Sequence, residues 1–277
     1  TNCGLVGQNA CVEVDGAAYW MSENGFFRYG GKLESLPCLV EDHVYDDINL
    51  ASGNQMVSAG LNNLFGEIIW FYPSSTSDVV NKMVAYNYFD SSIKRPVWTV
   101  GTLARTMWRD SAVFGKPHAL EYDASTDTSF DVVGNTEGRT AYYEHETGTD
   151  QNKNGTITAV LSNISSGDYD ITQRTLRGLG GVADFRGDGE HIMKIRRFVP
   201  DFISQTGTTR ITLQLKNYPN STQGSSPLGP FDITTSTTKV DTRARARAIS
   251  LKIENTAVDQ SWKLGTFRLD VQPDGRR

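Results

Sequence analysis

Lys239-Val-Asp-Thr-Arg-Ala-Arg-Ala-Arg-Ala-Ile-Ser-Leu-Lys-Ile-Glu254 is the stretch on which the fold turns. Arg243, Arg245 and Arg247 alternate with Ala244, Ala246 and Ala248, the period of two that a pleated strand requires and a helix does not. Further on, Ile249, Leu251 and Ile253 take the parity that the arginines held. A charged face thus turns apolar with no break in spacing. The run is also longer than the usual strand of about 3–10 residues. Either a bulge interrupts it, or it leaves one packing environment and enters another. A polar turn over Asn255 to Gln260 and a return strand with Trp262, Leu264, Phe267, Leu269 and Val271 complete an expected hairpin. Its parity slips at Gly265-Thr266, where a glycine bulge fits.

Working backwards, the second half reads as an antiparallel β-sandwich. Thr209 to Lys216 sets Ile211, Leu213 and Leu215 on one face and Arg210, Thr212, Gln214 and Lys216 on the other. Met193, Ile195 and Val199 repeat the pattern more weakly before Pro200, and Asn217 to Pro230 reads as a long Ser/Gly/Pro loop. A polar linker, Thr147 to Gly155, precedes this half.

The first half has a different texture. Three turn glycines each lead into a strand ending in paired aromatics: Gly16 before Tyr19-Trp20, Gly66 before Trp70-Phe71-Tyr72, and Gly138 before Tyr142-Tyr143. Further aromatic strands follow the first two, Phe26 to Tyr29 and Tyr86 to Phe89. A repeated unit of hairpin plus turn predicts a propeller-like β-array, with a plain antiparallel meander as the alternative. Helical spacing is scarce: Val79, Val80, Met83 and Val84 suit a turn and a half of helix, and Leu103 to Trp108 is ambiguous. The expectation is therefore an all-β chain, with propeller-like hairpin blades over 1–150 and a β-sandwich over 151–277.

Charge divides at the same place. Residues 1–150 hold 9 Lys and Arg against 20 Asp and Glu, a balance of −11, while residues 151–277 hold the other 18 and 12, a balance of +6. Opposite signs suit surfaces that meet unlike neighbours, and neither half is basic enough for a sequence-specific DNA reader. The odd count of three cysteines, Cys3, Cys11 and Cys38, argues against a disulfide framework. No apolar run approaches the ~20 residues that span a bilayer. The start at Thr1-Asn2-Cys3, without an initiating Met, reads as a processed product or the back part of a longer protein.

Motifs for chemistry are scarce. His43, His118, His145 and His191 sit in no metal-ligand or nucleophile pattern, and His145 between Glu144 and Glu146 reads as structural. Asp150-x-Asn152-x-Asn154-Gly155 opens like a calcium loop, but Leu161 stands where the bidentate Glu belongs. Arg186-Gly187-Asp188 lies in a turn context, and the sequons at Asn154, Asn163 and Asn220 lack a secretory signal. No catalytic residue, cofactor or metal is expected. The candidate site is instead the row Arg243, Arg245 and Arg247, read as a subunit interface. Three like charges on one face need neutralising, by an acidic protein partner, by solvent or by phosphates.

Several phrases resemble the tail-tube "nozzle", or DNA-stabilisation, proteins of short-tailed bacteriophages. They are Phe26 to Leu36, Gly66 to Pro73, Trp98 to Thr106 and Tyr143 to Gly148, then Ile195 to Phe202, Val240 to Glu254 and Trp262 to Arg277. Gln173 to Asp188 fits them poorly and reads as an insertion, and family members usually extend further at the N-terminus. The resemblance implies a structural virion protein of the tail, assembled in the bacterial host cytoplasm into a six-fold ring below the head-to-tail adaptor. It implies docking of tail fibres outside, and a channel that retains packaged double-stranded DNA and conducts it non-specifically. An acidic first half lining the lumen would repel the duplex and let it slide. The competing class is a receptor- or carbohydrate-binding β-module, such as a tail fibre or a propeller lectin; a glycosidase on a propeller is a third.

Overall fold

The computed structural model describes residues 3–53, 55–92, 95–111, 114–123, 139–153, 155–171, 191–218 and 225–276. The chain is all-β, 57 % strand and 3 % helix, built from several small antiparallel sheets. Among the described residues no closed barrel or propeller forms. The chain divides into two compact units, Thr1–Thr147 and Gly148–Arg277. Asn154, Gly138, Asn220, Arg277 and the stretch 173–188 with its Arg-Gly-Asp lie outside the described residues.

The first unit consists of three meanders in chain order. Strands β1 (Cys11–Val14), β2 (Ala17–Ser22), β3 (Gly25–Tyr29) and β4 (Leu33–Leu36) form the first sheet. Asp15 and Gly16, both at positive φ, close its opening hairpin as a two-residue turn whose twist matches the strands. Two short helices, α1 (Glu41–Tyr45) and α2 (Leu50–Gly53), precede the second sheet: β5 (Ser58–Asn62), β6 (Glu67–Tyr72), β7 (Lys82–Asn87) and β8 (Trp98–Gly101). The third contains β9 (Met107–Arg109), β10 (His118–Asp123) and β11 (Arg139–Glu144), with β10 central.

The sheets pack on one another through alternate residues. Ile68, Trp70 and Tyr72 of β6 enter one core with Tyr19, Met21 and Phe26 of the first sheet. The intervening Ile69 and Phe71 face the other way, into a core with Ala85 that Leu103 and Trp108 join. The second sheet is thus buried on both faces. That corrects the helical reading of Val79 to Val84: Val84 enters one core, Met83 and Ala85 the other, so β7 has no polar face to reveal its period. Leu103 to Trp108 likewise holds no helix and ends in β9. Trp108 lies flat on Gly60, where any β-carbon would stand 2.6 Å from its ring.

The second unit begins with a hairpin, β12 (Asp150–Lys153) and β13 (Thr156–Ala159), where a linker is expected. One four-stranded sheet then comprises β14 (Asn163–Ser165), β17 (Thr209–Lys216), β18 (Ser225–Ile233) and β20 (Ala248–Glu254), in the order β14-β20-β17-β18. A three-stranded sheet has the order β19-β15-β22, from β15 (His191–Val199), β19 (Val240–Ala246) and β22 (Arg268–Arg276). Strands β16 (Phe202–Thr206) and β21 (Ser261–Leu264) pair separately.

The opening stretch of sequence resolves at Arg247. Val240–Ala246 belongs to the three-stranded sheet and Ala248–Glu254 to the four-stranded one. Ala244 and Ala246 point inward before the break, Ile249, Leu251 and Ile253 after it, so the parity changes where the strand changes sheets. Met193, Ile195, Leu215, Ala244, Ala246 and Ile249 make a single core drawn from both sheets. Three expectations are corrected here. The return strand does not pair with β20, since β21 pairs with β16 and β22 with β15. The slip at Gly265-Thr266 is accordingly a change of partner strand, with the Gly265 N–H donating to the Asp201 carbonyl at 2.8 Å. Of the loop expected over Asn217 to Pro230, residues 225–230 belong to the edge strand β18, whose irregular register accommodates Pro227 and Pro230.

Candidate subunit-interface site

Strands β15 and β19 set the geometry around the expected arginine row. Between Ile195 and Arg197 the register shifts against both neighbours. With Ile195 and Phe198 both fully buried, the irregularity turns Arg196 and Arg197 together toward solvent. On β19 the inward alanines leave Arg243 and Arg245 outward, with Arg245 directly opposite Lys194. The result is one outward sheet face carrying Lys194, Arg196, Arg197, Arg243 and Arg245.

Part of that charge is neutralised within the unit. Arg197 lies between Asp241 at 3.6 Å and Asp270 at 3.5 Å, and Arg245 pairs with Asp274. Lys194, Arg196 and Arg243 are exposed and have no ion-pair partner among the described residues. Arg247 stands apart: its backbone N–H donates to the Lys216 carbonyl at 3.0 Å at the crossing point, and its side chain is half-buried. Of the three arginines expected together, two share the open face and the third marks the sheet change. Lys194 and Arg196 were missed by sequence reasoning. Their signal, a cationic pair two residues apart on a strand, was masked by the bulge that displaces the apolar parity after Ile195.

A second charged cluster is buried in the first unit. Arg105, only 4 % exposed, donates from Nη1 to Glu121 at 2.8 Å and from Nε to His145 Nε2 at 2.9 Å. Its guanidinium lies 4.0 Å over the Tyr143 ring. Since Nε2 accepts, the imidazole is neutral. Burial and then the neighbouring Arg105 push the His145 pKa down to about 4. The flanking carboxylates turn away: Glu144 meets Lys116 at 3.1 Å and Glu146 accepts from Asn62 at 3.0 Å. The guanidinium has its hydrogen bonds used inside the fold, so this cluster fastens β10 and the end of β11 to the segment before β9. Arg105 carries no sequence signal, because only the tertiary fold closes over it.

The calcium-like opening is used for backbone turns. Asn152 Oδ1 accepts from the Gly155 N–H at 2.9 Å, and Asp150 Oδ2 from the Asp259 N–H at 2.8 Å. Among the described residues no group of three or more acidic, histidine or cysteine side chains is placed to hold a metal. A groove of about 310 Å³ lined by Asp201, Ser204, Gln205, Thr234 and Thr237 is likewise internally satisfied, with Gln205 donating to the Ile233 carbonyl at 2.7 Å. No helix among the described residues is long and apolar enough to cross a membrane. Neither a scan of protein-family models nor a search of curated proteins gives a match to this chain.

Proposed function

We propose that this chain is a structural virion protein, a subunit of the tail nozzle ring of a short-tailed bacteriophage that retains packaged DNA and conducts it during ejection. The observation that carries this reading is the outward face of the β19-β15-β22 sheet, where Lys194, Arg196 and Arg243 stand without ion-pair partners among the described residues. An exposed cationic row on a rigid sheet is suited to an acidic surface, and residues 1–150 supply one, with 20 Asp and Glu against 9 Lys and Arg. Unlike charged surfaces on one chain favour heterologous contacts, which close into rings when the rotation permits. In finer detail, we take the three meanders as blade-like units and the two sheets of the second unit as a β-sandwich. The acidic unit faces the lumen, where it repels passing duplex. The adaptor, the fibres and the six-fold order follow from the resemblance of sequence phrases alone.

Sedimentation velocity and negative-stain imaging of the purified chain test this. The expected result is a closed ring, converted to subunits by the double reversal Arg196→Glu with Arg243→Glu at unchanged thermal stability. A monodisperse monomer at every concentration, or a ring indifferent to the reversal, overturns it.

A further inference from the structure

The first unit is a stack with two unfinished ends. Within it, each meander face that points toward the next is covered by it: Phe26 and Tyr19 meet the second sheet, whose Phe71 meets Trp108 of the third at 5.7 Å between ring centroids. Among the described residues of the unit, no further sheet follows the third. Its outward side carries Met107 and Arg109 of β9, His118, Leu120 and Tyr122 of β10, and Tyr142 of β11, as the register requires. Tyr142 is 65 % exposed and Met107 55 %, and Phe114, at 59 %, stands edge-on to His118. These are the large side chains that a fourth layer would bury.

At the opposite end, the outward side of the first sheet carries Glu13, Ala18, Tyr29 and Leu33 in one row of directly paired residues. Tyr29 and Leu33 are both exposed. On the third sheet the same register adds Glu144 to the row of His118 and Arg109, where Lys116 neutralises it at 3.1 Å, so the charge left over at that end is Arg109 and at the other Glu13. Arg109, exposed, lies 5.4 Å over the Phe114 ring and has no carboxylate partner among the described residues. Glu13, exposed, has no cationic partner among them. The two ends are therefore unlike in side chains and opposite in sign.

We infer that the outward face of β9-β10-β11 docks on the outward face of β1-β4 of a second copy of this chain, continuing the stack from subunit to subunit with Arg109 against Glu13. Unlike faces meeting head to tail give the heterologous contact that a ring needs. An aromatic-rich centre ringed by polar groups matches the anatomy of protein interfaces. The inference deepens the ring reading and rests on it, adding a second contact separate from the arginine face.

The test is a charge swap followed by sedimentation velocity. Glu13→Arg and Arg109→Glu, each alone, are expected to weaken assembly at least tenfold, and the two together to restore it. Both side chains are exposed and have no ion-pair partner among the described residues, so circular dichroism should be unchanged. In a background with Cys3, Cys11 and Cys38 all changed to Ser, Glu13→Cys with Arg109→Cys is expected to give an oxidative ladder of covalent oligomers, absent when either introduced cysteine stands alone. If the wild-type chain never assembles, the ring reading fails and takes this contact with it. If it assembles, and the Arg196/Arg243 reversal dissociates it while both swaps at 13 and 109 leave it intact and uncrosslinked, the ring stands and this contact is wrong. Binding of glycans to a monomeric chain, abolished by Tyr142→Ser, would assign the aromatic face to carbohydrate and overturn the contact.

Discussion

The two units solve the problem of covering small sheets in different ways. In Thr1–Thr147 each sheet is a local meander, complete before the next begins, and the sheets meet mainly through side chains, joined by a backbone hydrogen bond from the Ala59 N–H to the Asn9 carbonyl at 2.8 Å. In Gly148–Arg277 each main sheet draws on strands far apart in sequence, and the main chain itself passes from one sheet to the other at Arg247. The first arrangement concentrates its cohesion in a few contacts between layers. The second spreads it over a core that the backbone already stitches together. Local pairing is also expected to form early and distant pairing late, because loop closure must precede distant contacts.

The largest test of this difference is at Arg105. Replacing it with Met removes the 2.8 Å ion pair to the largely buried Glu121 carboxylate, and the expected cost is about 3–5 kcal/mol by denaturant unfolding. Adding Glu121→Leu should recover much of that loss, since a buried ion pair exchanged for apolar groups is often near neutral. Hydrogen exchange should rise across β9–β11 and stay unchanged across β15–β22. Equal rises in both would dissolve the contrast.

A smaller effect is expected at Gly60. Alanine there forces the Trp108 ring off β5, with a loss of about 1–3 kcal/mol from overpacking. Near-ultraviolet circular dichroism should change with it, and a silent substitution would show that the joint between the second and third meanders tolerates slippage.

The smallest is a dependence on pH. The folded-state pKa of His145 is lowered to about 4, below its ordinary value of 6.5. The unfolded chain therefore takes up the proton first, and stability falls as pH drops from 6.5 toward 4. After allowance for partial exposure the loss is roughly 2 kcal/mol. His145→Gln should flatten this part of the profile; an unaltered slope would place the titration elsewhere.

What could be read from the sequence follows the same contrast. Strands with one wet face announce themselves: Thr209 to Lys216 alternates cleanly, and the parity of Lys239 to Glu254 implies a bulge or a change of packing environment, of which the second holds. Strands covered on both faces do not. Val79 to Val84 imitates helical spacing because its neighbours on either side are both apolar. Residues 225–230 hid behind two prolines that an irregular edge strand can hold. The arginines were visible as a row, but their division between an open face and a crossing point depends on a single backbone break. Lys194, Arg196 and the buried Arg105 depend on a bulge and on closure by distant segments, and neither has a local signature.

The passage at Arg247 has a mechanical consequence. Tension along residues 240–254 is shared by two hydrogen-bonded ladders held side by side, so it loads them in shear instead of peeling one strand at a time.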